Sequence, residues 1–122
     1  MGARLPTEAE WESAAQALDE SQGNFLDRPR PVKAKPATGR AGLKQMYGAL
    51  WQWTNSAFLA YRAFGRPPGP SASTTANSCQ ASSCFAAGAV RRPRGDVRAS
   101  YRNFFYPHQR WQFTGVRLAK DI

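Results

Sequence analysis

Histidine, cysteine and acidic residues are scarce in this sequence of 122 residues, and long apolar runs are missing. A zinc site takes about four ligands. The sequence offers only three Cys or His residues, which are His108, Cys79 and Cys84. No apolar run approaches the ~20 residues of a membrane-spanning helix, and the start of the chain lacks the apolar stretch of a signal peptide. We therefore expect a cytoplasmic protein of one small domain, without a membrane partner. In such a protein His108 is predicted to be a surface residue, and a disulfide between the cysteines is disfavoured.

Acidic residues are outnumbered by basic ones, 8 against 17, which gives a net charge of +9. A basic domain of this size can bind nucleic acid, because Lys and Arg neutralise phosphates and release counterions. The basic residues are spread along the chain without a run of five or six, and Arg66 is the only one from 66 to 90. This distribution favours a scattered, solvated surface, so we predict no nucleic-acid partner.

The first regular element is a helix predicted from Thr7 to Leu18. Thr7 is a candidate N-cap, and Glu10 follows it at the spacing of a capping box. Apolar residues then recur at i, i+3, i+4 and i+7, which is one face of a helix: Trp11, Ala14, Ala15 and Leu18.

The rest of the chain alternates between loop and strand signals. Prolines and glycines predict a loop from Ser21 to Gly42. Trp51-Gln52-Trp53-Thr54 alternates as a strand does, which places both indoles on one face and predicts core packing for them. The tail from Val97 is rich in strand-forming residues, whereas residues 65–88 show neither period and read as a disordered insert.

Three stretches resemble the formylglycine-generating-enzyme (sulfatase-modifying factor) domain. Arg4–Glu12, with Leu-Pro-Thr-Glu-Ala-Glu-Trp, resembles its helix signature, and Tyr47–Thr54 is similar to its Gly-x-Val-Trp-Glu-Trp segment. Arg98–Phe105 and Arg110–Ala119 resemble its carboxyl end. This carboxyl-terminal pattern, together with Ser56–Tyr61, resembles one branch of the family, the iron-dependent hercynine oxygenases of ergothioneine biosynthesis.

The resemblance implies an α+β fold: a partial C-type-lectin-like domain with much irregular structure, spanning residues 1–122. Complete oxygenases also carry an amino-terminal helical bundle, whose three histidines, including a His-x-x-x-His pair, bind iron(II). Since this sequence has neither, it is similar to the carboxyl-terminal portion of such an enzyme and is predicted to be inactive alone. Two alternatives stay open: a stand-alone lectin-like binding module without catalysis, and a fragment of a formylglycine-generating-type enzyme.

Residues 65–90 are the part that departs from the family. Back-translation of Pro70–Gly88 in a shifted frame gives Val-Gly-Glu-Tyr-Asn-Gly-Lys-Phe-Met-Ser-Gly-Gln-Phe-Val-Leu-Arg-Gly-Gly. That string resembles the segment this branch carries here, including a core strand with Val-Leu-Arg-Gly-Gly. We therefore predict that residues 65–90 are translated out of frame; the alternative is a natural low-complexity insert. Loss of a buried strand predicts a marginal domain with low unfolding cooperativity.

The catalytic residues implied by the resemblance are Tyr61 and Phe58. They match a Tyr-x-x-Tyr pair, in which the first tyrosine can donate a proton near the iron. Because phenylalanine has no hydroxyl, Phe58 departs from the pattern and the role of acid falls to Tyr61.

The substrates implied for the parent enzyme are hercynine and a cysteine-type thiol donor. Asn103 matches a position that contacts hercynine in some members, and Phe104 adjoins it. An aromatic face can hold the trimethylammonium group of hercynine, and Phe104, Trp51 and Trp111 are the candidates, with core packing the expected role of Trp111. A guanidinium from Arg94 or Arg98 suits a substrate carboxylate.

Ala49 and Gln52 stand where related domains often have carboxylates. The sequence therefore predicts that a cation bound there in relatives loses its charged oxygen ligands in this chain.

Overall fold

The computed structural model describes residues 2–29, 31–39, 42–57, 83–86, 92–106 and 108–122, with 83–86 described by their backbone. The elements, in order, are β1 (Ala3–Arg4), α1 (Glu8–Gln16), a 3-10 turn (Glu20–Gln22), β2 (Trp51–Ala57), β3 (Ser83–Ala86), β4 (Arg102–Phe105), β5 (Thr114–Gly115) and β6 (Ala119–Lys120). Within these described ranges, one α-helix and several short strands are compatible with the predicted α+β class. Within these residues, no helix is long and apolar enough to cross a membrane.

Helix α1 begins with the predicted capping box. The backbone N–H of Glu10 donates to Thr7 Oγ1 at 3.3 Å, and the N–H of Thr7 donates to Glu10 Oε2 at 2.7 Å. The helix ends at Gln16 rather than at the predicted Leu18, where a turn closes on the carbonyl of Ala15. Leu18 nevertheless packs against the core, so the predicted apolar face is confirmed.

The larger core lies under α1. Trp11 and Ala15 from the helix are buried with four residues from the connecting segments: Phe25, Met46, Tyr47 and Val97. The rings of Trp11 and Tyr47 meet edge to face at 6.0 Å, and the Tyr47 hydroxyl donates to the carbonyl of Ala15 at 2.8 Å. These contacts fix the irregular segment before β2 on the helix.

A four-stranded sheet with the order β4-β3-β2-β5 forms the centre of the fold. Strands β2, β3 and β4 are antiparallel, whereas β5 runs parallel to β2 and pairs Thr114 with Trp51. The prediction of a disordered insert is wrong for Ser83–Ala86, since these residues form β3 between two paired neighbours. Ladder hydrogen bonds are made by the backbone, so they hold a strand even where the side chains show no period.

Strand β2 is buried on both faces at its start. Trp51 is buried, Trp53 packs against it, and the shared face confirms the predicted core packing of the two indoles. Gln52 and Thr54, on the opposite face, are also buried. The strand therefore lies between α1 on one side and an aromatic cluster on the other.

A second, two-stranded sheet joins the two ends of the chain. Ala3 and Arg4 of β1 pair with Lys120 and Ala119 of β6. The Arg4 guanidinium spans the junction, with hydrogen bonds to Glu10 at 2.7 Å and to Asp121 at 2.5 Å.

Candidate functional site

The face of the large sheet turned away from α1 is aromatic. It consists of one buried indole and four partly buried rings packed against it: Trp51, Trp53, Tyr101, Phe105 and Phe113. We call this set the aromatic face. The Tyr101 ring stacks on Trp51, with centroids 5.6 Å apart and planes at 29°.

Alternation along β4 places an amide on the same face. Tyr101 and Phe105 both pack against the Trp51 cluster, and Asn103 lies between them at the period-two position. Arg102 projects to the other side, where its Nη1 donates to both carboxylate oxygens of Glu8 at 3.1 Å. This half-buried ion pair anchors β4 to the first turn of α1 and fixes which face Asn103 presents.

A cation already lies on one ring of the aromatic face. The Arg92 guanidinium carbon is 5.0 Å from the Tyr101 ring centroid, and the same group donates to the Tyr101 hydroxyl. Asp96 holds Arg92 from the other side at 2.7 Å. Cation–π attraction of this kind is worth ~0.5–2 kcal/mol, depending on how far the cation is desolvated. The π faces of the rings on the aromatic face can therefore attract positively charged groups.

The structure brings some of the predicted substrate residues together and separates others. The Oδ1 of Asn103 accepts a hydrogen bond from the Phe104 N–H at 2.8 Å, and its Nδ2 has no partner within the described part of the chain. Phe104 alternates to the opposite side of β4, so it does not share a face with Asn103. Trp51 is on the Asn103 side, but with 3% exposure it is a core residue covered by Tyr101.

The position of Trp111 differs from the one predicted from the sequence. Core packing was the expected role, yet its side chain is 65% exposed. Its ring meets Phe105 edge to face at 4.9 Å, at the rim of the aromatic face. Trp111 lies at a bend that follows β4, and most of its side chain is open to solvent.

The two candidate arginines differ in availability. Arg94 donates to Asp27 Oδ2 at 2.9 Å, and its guanidinium lies 5.2 Å from the Phe25 ring centroid, away from the aromatic face. Arg98 is exposed, and its carbonyl accepts from the N–H of Tyr101, next to the aromatic face. Phe58 and Tyr61 lie outside the described residues.

Gln52 is the centre of a buried hydrogen-bond network. Its Oε1 accepts from Trp11 Nε1 and from Arg117 Nε, both at 2.9 Å. Its Nε2 donates to the carbonyls of Gln45 at 2.9 Å and Met46 at 3.3 Å. Burial lowers the pKa of the Arg117 guanidinium. Gln52 is a neutral amide, and both its side-chain oxygen and its side-chain nitrogen are hydrogen-bonded, the oxygen to an indole and to the Arg117 guanidinium.

Metal-ligating residues do not cluster in the described residues: no three His, Cys, Asp or Glu side chains come together there. His108 is exposed and stacks on Tyr106 at 5.6 Å, which confirms its prediction as a surface residue. The residues present therefore do not fit a three-histidine iron site.

A cleft of about 490 Å³ lies elsewhere, between the end of α1 and the segment before β2. None of the six candidate substrate residues lines it. Among its polar groups, Gln45 Nε2 donates to the Lys35 carbonyl at 2.6 Å and the Tyr47 hydroxyl donates to Ala15. We therefore place the candidate site at the aromatic face rather than at this cleft, because that face presents an open indole and an amide nitrogen, Asn103 Nδ2, without a partner in the described residues.

Sequence reasoning missed Tyr101, Phe105 and Arg92. The two aromatic residues could have been found from their alternation with Asn103, since period two puts all three on one face. No pattern along the chain indicates that Arg92 lies over Tyr101, because the contact depends on the turn between them.

Comparison with known proteins agrees with the resemblance in the sequence. A family described as sulfatase-modifying factor enzyme 1-like domain matches residues 18–122. Proteins named hercynine oxygenase from Mycobacterium tuberculosis and Mycolicibacterium smegmatis are each 33% identical over 99% of this chain, and one from Mycolicibacterium thermoresistibile is 34% identical. The chain spans about a third of the length of each. The first alignment runs over 157 residues, so that relative has additional residues inside the matched span.

Proposed function

Because the chain belongs to the sulfatase-modifying factor enzyme 1-like domain family, we propose that it forms part of the substrate pocket of a hercynine oxygenase-type protein. The observation that carries this proposal is the match of 99% of the chain to proteins named hercynine oxygenase. The activity proposed for the complete protein is the iron(II)- and O₂-dependent joining of a thiol sulfur to the imidazole of hercynine, which gives a sulfoxide. The fold proposed for this part is a C-type-lectin-like one.

The aromatic face is the proposed wall for hercynine. The open indole of Trp111 offers a π surface to the trimethylammonium group, as Tyr101 already does to Arg92. Asn103 Nδ2 is a hydrogen-bond donor on the same face, and the exposed Arg98 guanidinium suits the carboxylate of the substrate. Trp51 supports this wall from beneath rather than touching the ligand.

Phe104 and Arg94 are less well placed than Asn103 and Arg98 to contact the substrate. Phe104 lies on the far side of β4, and Arg94 is held by Asp27. The acid role is proposed for Tyr61, because the phenol can donate a proton and the side chain of Phe58 cannot.

Iron(II), when bound in the complete protein, would supply the O₂ chemistry. With one histidine in its sequence, this chain cannot provide three histidine ligands. The ligands are therefore proposed to come from a part of the complete protein that this chain does not contain. What this chain contributes is binding and orientation of hercynine, and turnover by the 122 residues alone is not expected.

The out-of-frame origin of residues 65–90 remains part of the proposal. It is supported by the shifted reading, whose Phe-Val-Leu-Arg string falls in the stretch that contains β3. Sequencing the coding DNA tests it. A coding sequence whose alternate frame lacks this string would overturn it.

Ligand binding tests the pocket. We expect hercynine to bind the purified chain measurably in titration calorimetry, and histidine, which lacks the three methyl groups, to bind more weakly. Trp111→Ala is expected to weaken hercynine binding by about 2- to 30-fold, the range of a cation–π contact, and Trp111→Phe to restore part of it. Equal binding of hercynine and histidine would overturn the pocket, and turnover by the chain alone with iron(II) would overturn its partial role.

A further inference from the structure

Apolar side chains project outward from the carboxyl-terminal end of the chain. Val116 is 65% exposed and Leu118 is 64% exposed. We call these two residues the carboxyl-terminal strip. Neighbouring apolar side chains that are open to water can mark the surface at which a protein meets a partner.

Arg117 fixes the direction of the strip. Its guanidinium points inward, donating to Gln52 Oε1 at 2.9 Å and to the carbonyl of Lys44 at 2.6 Å. Because neighbours in an extended chain point to opposite sides, Val116 and Leu118 face outward together. The inward hydrogen bonds of Arg117 therefore set the outward direction of the strip.

The backbone beside the strip is also open to pairing. In the described residues β6 pairs only with β1, in a sheet of two strands with two residues each. Two strands alone are marginally stable in water, and an edge strand with apolar neighbours can accept a further strand.

From these features we infer that the carboxyl-terminal strip is the surface on which the remainder of a hercynine oxygenase-type protein docks. The inference rests on the proposed function. The length of the relatives indicates what covers the strip. About two-thirds of each named relative has no counterpart in this chain. The relative from Mycobacterium tuberculosis also has additional residues within the matched span. The partner surface is expected to be apolar, with an extended segment that can pair with β6.

Co-expression tests the inference. The full 122-residue chain would be produced with the hercynine oxygenase of Mycolicibacterium thermoresistibile from which the span matched by this chain has been removed. We expect a one-to-one complex by size-exclusion chromatography with light scattering. The double variant V116D/L118D should weaken it by about tenfold or more, since carboxylates at the centre of an apolar interface are strongly unfavourable.

Ser13→Asp is the matched control, because it adds a carboxylate at an exposed position of α1. It should leave the complex unchanged. Circular dichroism of V116D/L118D should match that of the unmodified chain, because both side chains are exposed. A single variant, Leu118→Thr, which adds no charge, should weaken the complex by a smaller factor.

The outcomes separate this inference from the proposed function. A complex that depends on the strip but forms no sulfoxide from hercynine supports docking and contradicts the function. Sulfoxide formation unchanged by V116D/L118D overturns docking and leaves the function standing. Absence of any complex, or a homodimer of this chain that V116D/L118D dissociates, overturns docking as well.

Discussion

The indole Nε1 of Trp11 donates a 2.9 Å hydrogen bond to Oε1 of Gln52, joining α1 to β2 across 41 residues of sequence. Both side chains are buried, and the same oxygen also accepts from Arg117. One amide therefore links the helix, the central sheet and the carboxyl-terminal segment. A buried amide with every hydrogen bond made is favourable, and its loss is costly because its partners keep their polar groups.

Replacing Gln52 by leucine is expected to lower the free energy of unfolding by about 2–4 kcal/mol, since buried polar groups are left without partners. Trp11 Nε1 loses its acceptor, and the carbonyls of Gln45 and Met46 lose a donor. Urea denaturation followed by tryptophan fluorescence measures the effect. Gln52→Glu keeps the acceptor for Trp11 and Arg117 but loses the donor to the carbonyls of Gln45 and Met46, so it separates the two halves of the network. Equal stability of Gln52→Leu and the unmodified chain would contradict the role of the network.

Acid is expected to loosen the contact of Arg4 with Glu10. Hydrogen bonding to Arg4 lowers the pKa of Glu10 to about 2 from its usual 4.5. Because the folded-state pKa is the lower one, the contribution is complete above pH 4.5 and disappears as the pH falls toward about 2. Arg4 also lowers the pKa of Asp121, so both carboxylates act in the same direction.

The measurement is the unfolding midpoint as a function of pH. Glu10→Gln should flatten the curve between pH 4.5 and 2, the interval set by the two pKa values of Glu10. Glu12→Gln, on the same helix, removes the same charge without touching Arg4 and serves as the control. A curve for Glu10→Gln with the slope of the unmodified chain would rule out this linkage.

Gly48 and Gly42 form a matched pair for testing how tightly the core is packed. Both have positive φ, +72° and +75°, so alanine at either position costs about 1–2 kcal/mol of backbone strain. A Cβ on Gly48 would also lie 2.7 Å from a Phe25 ring carbon, whereas a Cβ on Gly42 would meet nothing within 4 Å.

Gly48→Ala should therefore be the more damaging change, by about 1–3 kcal/mol of overpacking beyond the strain. Chemical denaturation of the two variants side by side measures the difference. If both variants lose the same stability, the ring of Phe25 can move aside and the core is less rigid than described.

Restoring the shifted reading of residues 65–90 is expected to sharpen thermal unfolding. The string Phe-Val-Leu-Arg would supply the apolar side chains for β3, which lies between β2 and β4. Burial of such side chains contributes about 1.5–3 kcal/mol each. Differential scanning calorimetry should show a broad transition for the present sequence and a narrower one for the restored variant. A scrambled version of the restored segment controls for composition; an equally sharp transition for the present sequence would refute the expectation.

Local signals predicted the helix and the β2 strand well. The capping box of Thr7 and Glu10 operates within one turn, so its geometry is written in adjacent residues. Alternation around Trp51 likewise predicted the shared face of the two indoles. The burial of Gln52 was not predictable in the same way, because it depends on Trp11 and Arg117 arriving from distant parts of the chain.

The candidate site was predictable only in part. Asn103 was found through the resemblance, and the structure adds the aromatic rings around it. Trp111 is exposed and lies at a bend after β4, and a bend has no periodic signature in the sequence from which this exposure could be predicted. Arg94 forms an ion pair with Asp27, which lies 67 residues away in the sequence. Because no local pattern indicates such a distant partner, the sequence alone could not distinguish Arg94 from Arg98 as a ligand for the substrate.

The pairing of β1 with β6 has a practical consequence for building new proteins from this chain. Since Ala3 lies opposite Lys120, a few linker residues can connect the two termini without disturbing the Arg4 contacts. A circular permutant opened in the exposed loop near Ala34 would then keep every described strand intact. In the unpermuted chain, dyes attached next to β1 and β6 would report, through energy transfer, when the amino- and carboxyl-terminal segments separate.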